Sequence, residues 1–163
     1  MTKINMELKG MDKLVKKLKT FGEQAEKETA METKAAAQNI VADAKLLAPV
    51  GTPESTGIKG YIGGTLKGSI YIAQPITAKD GLTWAAVANA HYAPYVEFGT
   101  GRYSAQSIPS ELRVLAGQFK GKGIRNTNTP PRPFMYPAFL MNRDKYIKRL
   151  KQMLKRYAKD VTR

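Results

Sequence analysis

The stretch Tyr92-Ala93-Pro94-Tyr95-Val96-Glu97-Phe98-Gly99-Thr100-Gly101 sets aromatic and β-branched residues around a single glutamate and ends in Gly-Thr-Gly. That composition predicts a short buried strand over Tyr95–Phe98, stopped by a tight turn. Gly99 and Gly101 suit backbone geometry that glycine adopts without cost. Glu97 is a lone carboxylate in apolar surroundings. Such a group could be a perturbed acid, but it more often accepts hydrogen bonds from a turn or pairs with Arg or Lys. Glu97 is therefore expected to serve the fold or a subunit contact.

Upstream, Ile4, Met6 and Leu8 alternate with Asn5, Glu7 and Lys9, the pattern of a half-buried strand. Asp12 can cap a short helix ending near Phe21-Gly22. A long helix is predicted from Glu23 to Leu47. It is rich in good helix formers, with Ala36, Ile40, Val41, Ala44 and Leu47 near the spacing of a core-facing stripe. Pro49 stops it. Residues 50–65 are Gly- and Pro-rich and read as a long loop. Leu66–Ala73 and Leu82–Ala88 read as strands, with Lys79-Asp80-Gly81 turning between them.

Downstream, residues 102–133 form a second irregular region, with a short helix predicted near Pro109–Ala116 and Ser107 or Ser110 as its cap. The Gly-, Asn-, Thr- and Pro-rich stretch Lys120–Pro133 resists a packed core. A last helix is predicted from about Pro137. It carries Phe139, Tyr146, Ile147, Leu150, Met153, Leu154 and Tyr157 on an apolar side and Lys148, Arg149, Lys151, Lys155 and Arg156 on a basic back.

Composition narrows the chemistry. The 163 residues suit one domain, 1–163. With no cysteine, disulfides, thiolate catalysis and zinc–thiolate sites are excluded. With one histidine, His91, a multi-histidine metal site within the chain is excluded too. His91 has no base or nucleophile at a telling spacing, and Gly121-Lys122-Gly123 lacks the glycine spacing and following Ser or Thr of a phosphate loop. No cofactor and no catalysis are expected. No apolar run reaches the length of a membrane span, and Met1–Met6 lacks a signal-peptide core. The net charge of +14 is uneven: residues 1–100 carry 12 basic and 10 acidic side chains, and residues 101–163 carry 15 and 3. The cationic C-terminal third suits a polyanion or an acidic protein face.

Three segments carry a family likeness: Ala44-Lys45-Leu46-Leu47-Ala48-Pro49-Val50; Gly64-Thr65-Leu66-Lys67-Gly68-Ser69-Ile70; and Tyr92–Gly101 followed by Pro131-Arg132-Pro133-Phe134-Met135-Tyr136-Pro137-Ala138. In order and rough spacing the chain resembles the head–tail joining, or tail-completion, family of long-tailed bacteriophages. It departs from the pattern where Gly, Pro and Thr residues are inserted after Pro49, where Gly63 stands in place of a threonine, and in the length between Gly101 and Pro131.

The resemblance implies an α+β fold, a small mostly antiparallel sheet packed against a long N-terminal helix and a C-terminal amphipathic helix. It implies a non-enzymatic subunit of the virion neck, assembled in the host cytoplasm into a ring of six around the DNA channel. Adjacent head-connector and tail-tube or terminator proteins would be its partners, with no membrane; by its charge, the basic C-terminal helix could contact genomic DNA non-specifically or face an acidic protein partner. Tyr95, Glu97, Phe98, Gly99, Thr100, Pro133 and Phe134 would serve the fold or subunit interface. Lys120, Lys122, Arg125 and Arg132 would lie on partner-contacting arms. A tail-terminator or head-stopper role and a basic nucleic-acid-binding module are the alternatives.

Overall fold

In a computed structural model, which describes residues 4–7, 22–60, 62–74, 82–101, 110–113 and 128–161, the long helix α1 runs Glu23–Leu47, the bounds its sequence predicts. Its buried positions are Ala25, Thr29, Thr33, Ala36, Ala37, Ile40, Val41 and Ala44. They recur at helical spacing and form one stripe. Ala48 turns extended ahead of Pro49, and its N–H still reaches the Ala44 carbonyl at 2.8 Å.

The strands β1 (Ile4–Glu7), β2 (Ile70–Ala73) and β3 (Ala85–Ala88) form an antiparallel sheet in the order β1-β3-β2. Ile4 and Ile70 both pair with Ala88. The central strand β3 is Ala-Ala-Val-Ala and is buried throughout. Helix α1 lies against β2 and β3.

The last helix, α5, spans Met135–Val161 and packs along α1. Tyr146, Leu150 and Met153 meet Ala25 and Ala36 of α1, while Met135 and Ala138 join the sheet-side core with Ile40, Ala44 and Ile70. The architecture is α+β, with a small antiparallel sheet against a long N-terminal helix and a C-terminal helix. Ile147, predicted on the apolar side of α5, is 40% exposed instead. It sits one residue past Tyr146, so about 100° of helical rotation carries it out of the core.

Polar groups are buried between α1 and α5. Thr29 and Thr33 each donate a hydroxyl to the carbonyl four residues back, Ala25 and Thr29, at 2.7 and 2.8 Å. The Thr33 proton is thereby committed, so the Tyr146 hydroxyl is the donor in their 2.8 Å contact. Burial pushes the Tyr146 phenol above its ordinary value. Tyr146→Phe keeps the ring and deletes one buried hydrogen bond. A urea melt should show about 1 kcal/mol of lost stability. Asn142 adds a second link, donating to Asp43 Oδ2 at 2.6 Å and to the Ala138 carbonyl at 2.9 Å.

Four predicted segments take other forms. Tyr95–Phe98 is not a strand: Ala93–Phe98 is a helix, α4. Its buried residues are Ala93, Pro94, Glu97 and Phe98, a helical rather than an alternating spacing. Pro94 sits in its first turn, where a missing N–H costs nothing. Likewise Thr65–Gly68 is a single helical turn, α3, entered through Gly64 at φ 107°, so the strand begins only at Ile70. The loop after Pro49 contains one further turn, α2 (Pro53–Thr56), with a reciprocal Thr52–Ser55 capping box. Around Pro109–Ala116 the described part is a 3₁₀ turn, Ser110–Leu112, and Leu112 packs on the core. The predicted Asp12–Phe21 helix and the Lys79–Gly81 turn lie outside the described residues.

Candidate functional site

The start of α5 has no capping side chain of its own. The residues before it are Pro133 and Phe134, not Ser, Thr, Asp or Asn. A helix leaves its first four N–H groups unsatisfied. Here Glu97, from α4, accounts for them. Its Oε2 accepts from Phe134 N–H at 2.8 Å and Met135 N–H at 3.0 Å, and its Oε1 accepts from Tyr136 N–H at 2.9 Å. The fourth residue, Pro137, has no N–H to satisfy. Glu97 is 2% exposed. Burial pushes its carboxyl above the ordinary value, and the three backbone N–H groups pull the other way. The helix N-terminus also favours a negative charge at that position.

The turn after α4 docks on the chain that leads into α5. Val96 accepts from the Arg132 N–H at 2.8 Å, and Thr129 accepts from the Thr100 N–H at 2.9 Å. Thr100 Oγ1 returns a bond by accepting from the Thr129 N–H at 3.0 Å. Gly99 makes this approach possible. Its φ is 72° and ψ −178°, a region essentially reserved for glycine. A Cβ there would stand 2.8 Å from the Thr129 carbonyl oxygen and 2.9 Å from the Pro131 nitrogen. Gly101, at φ 58°, abuts the side chain of Asn128. Tyr92–Gly101 and Pro131–Ala138 therefore form one unit in space.

Of the residues singled out for fold or interface, Glu97, Phe98, Gly99, Thr100 and Phe134 are buried in this junction, Tyr95 is half-buried and Pro133 is exposed. Beside it, a cleft of about 380 Å³ opens between the loop after α1 and the chain at Thr129, Pro130 and Arg132, with Tyr92 and Val96 among its lining. At the end of α1 and in the loop after it, Leu46, Leu47, Val50, Ile58 and Ile62 expose their apolar side chains, Ile62 to 89%, and Val50 also lines the cleft. Of the four arm cations, Arg132 is exposed; Lys120, Lys122 and Arg125 lie outside the described residues.

The basic back of α5 divides in two. Arg149 pairs with Glu32 of α1 at 3.5 Å, and Arg156 pairs with Glu28. The Tyr157 hydroxyl also donates to Glu28, at 2.7 Å. Hydrogen bonds from Arg156 and Tyr157 hold the Glu28 carboxyl below its ordinary value. Lys148, Lys151 and Lys155 instead face solvent. His91 is exposed, its ring edge-on to Tyr92. Among the described residues no cluster of His, Asp and Glu could hold a metal, and no helix is long and apolar enough to cross a membrane.

Sequence reasoning expected Glu97 to accept hydrogen bonds but missed that its donors open α5, and it missed the Thr33–Tyr146 and Asp43–Asn142 bonds. For the cap there was a usable signal: a predicted helix start at Pro-Phe-Met-Tyr-Pro without a capping residue must find its acceptor elsewhere.

Residues 12–99 match the family described as "Bacteriophage HK97-gp10, putative tail-component". Neither the curated proteins nor the solved structures include a significant match to the chain. The matched span covers just over half the sequence. It takes in α1, β2, β3 and α4 and ends on Gly99, so it includes Glu97 but neither the chain it caps nor α5. The chain belongs to the HK97-gp10-like family and is a structural component of a bacteriophage tail.

Proposed function

We propose that the protein is a ring subunit of the phage neck, completing the tail and joining it to the head connector around the DNA channel. The observation that carries this is a pair of unlike surface features, each built in part by the end of α1 and the loop after it. One is the exposed apolar group Leu46, Leu47, Val50, Ile58 and Ile62, and the other is the cleft lined by Val50, Tyr92, Val96, Pro130 and Arg132. Exposed apolar side chains of one copy seated in the cleft of the next would make a heterologous contact, and such contacts close into rings when the rotation fits. Several large apolar side chains left exposed close together in sequence are also what a subunit awaiting a neighbour presents. Six copies suit the family resemblance. In this role the protein is assembled in the host cytoplasm and carries no catalysis. Tyr95, Thr100 and Pro133 border the contact, and the loops at 51–64 and 118–133 reach the adjacent head-connector and tail-tube or terminator rings.

Light scattering with negative-stain imaging, alone and with purified tails, tests the proposal. Closed rings, or a collar at one end of the tail, are expected. The variant Ile58→Asp/Ile62→Asp should stay folded by circular dichroism and lose the assembly, because both side chains are exposed in the subunit. A protein that remains monomeric and ignores tails overturns the reading. A ring that binds only free tube ends favours the terminator role, and one that binds only filled heads favours the stopper role.

A further inference from the structure

The solvent face of α5 carries Lys148, Lys151 and Lys155 at i, i+3 and i+7, so they lie on one side of the helix. The buried Tyr146, Leu150 and Met153 take the other side. The three lysines line a shallow surface depression with Asp144, Ile147 and Gln152. Asp144 is the acid of this strip, and it pairs with Arg143 at 3.0 Å. Among the described residues none of the three lysines takes part in an ion pair. Like charges three and four residues apart weaken a helix by a few tenths of a kcal/mol, so the strip is not there to stabilise α5.

Three arginines of α5 have acidic partners, Arg143 in its neighbour Asp144. Arg149 and Arg156 are spent on Glu32 and Glu28 of α1. The cations that line the strip are lysines, compact charges without a fixed fork. That choice separates the two kinds of polyanionic partner. Protein interfaces are depleted in lysine and centre on Trp, Tyr or Arg anchors, and none of those lines this strip. A phosphate backbone asks only for positive charge in reach, and contacts to it carry no sequence information. The lysines span about 10 Å of helix axis. Over that distance duplex DNA presents about six negative charges.

We infer that Lys148, Lys151 and Lys155, with Gln152 as an added donor, form a sequence-independent contact for a nucleic-acid phosphate backbone, and that Arg149 and Arg156 take no part in it. The strip belongs to the single chain and does not require the ring.

The test is fluorescence anisotropy of the full chain with two short DNA duplexes of unrelated sequence, from about 50 to 200 mM salt. The wild type should bind both alike, with affinity falling linearly on a log–log plot. Lys148→Gln/Lys151→Gln/Lys155→Gln should lower the magnitude of the salt slope by about 2–3. The charge-matched control Lys27→Gln/Lys34→Gln/Lys67→Gln should change it by less than about 1. Light scattering of both variants must show the wild-type assembly state, which separates loss of DNA contact from loss of the ring. Equal slopes for the two triple variants, or no binding at the lowest salt, overturn the inference. Tighter binding to poly-glutamate than to DNA overturns it in favour of an acidic protein partner.

Discussion

Replacing Glu97 with alanine lowers the stability of this protein by about 3–5 kcal/mol, far more than a typical substitution. The change removes one carboxylate and strands three donors, the Phe134, Met135 and Tyr136 N–H groups. An unsatisfied buried donor costs about 1–3 kcal/mol. Phe134 and Met135 are fully buried, while Tyr136 is half-buried and can recruit water, which keeps the total below the simple sum. Glu97→Gln preserves the shape and one acceptor oxygen but turns an amide N–H₂ toward an N–H. It should cost about 2 kcal/mol. Urea melts at neutral pH with an unchanged m-value check both. If alanine costs less than about 1 kcal/mol, the last helix does not depend on this cap.

Gly99→Ala is the second large effect. Alanine at φ 72° and ψ −178° is strained by about 1–3 kcal/mol. Its Cβ also meets the Thr129 carbonyl and the Pro131 nitrogen, both parts of the backbone that cannot swing aside like a side-chain tip. The chain at 129–131 has to shift, and with it the Thr100–Thr129 and Val96–Arg132 hydrogen bonds. The expected loss is about 3–5 kcal/mol. Gly22 is an internal control, because its φ of 89° and ψ of 174° fall in the same region but an added Cβ meets nothing within 4 Å. Gly22→Ala should therefore cost the strain alone, about 1–2 kcal/mol. Hydrogen exchange distinguishes the two variants, since the Thr100 and Arg132 amides lose protection only in Gly99→Ala. Equal losses for the two alanines would mean that the close approach at Gly99 costs nothing.

How well each element can be read from sequence follows its length. Helix α1 holds its periodicity over 25 residues and ends at a proline, so pattern and stop signal agree. Helix α4 is 6 residues long and aromatic. At that length an apolar run fits a strand as well as a helix, and the β-forming Tyr95, Val96 and Phe98 favoured the wrong choice. What decided it was tertiary: only a helical turn buries Ala93, Pro94, Glu97 and Phe98 on one side. Thr65–Gly68 failed for the same reason. The paired halves of the junction were each visible as motifs, but nothing in the spacing showed that a glutamate in one caps the helix opened by the other, 37 to 39 residues on. The basic back of α5 was visible as a charge count. Its division into arginines held by Glu28 and Glu32 and lysines left to solvent depends on which way α1 packs.

The pairing of α1 with α5 also sets a schedule for the newly made chain. Thr33 and its partner Tyr146 are 113 residues apart. A ribosome adding about 5–20 residues per second needs about 6–20 seconds to cover that distance. Throughout that interval the stripe from Ala25 to Ala36 has no helix to lie against. The first long helix is therefore the last to be covered, and it is covered only once α5 has been made and settles along α1 with its first turn held by Glu97.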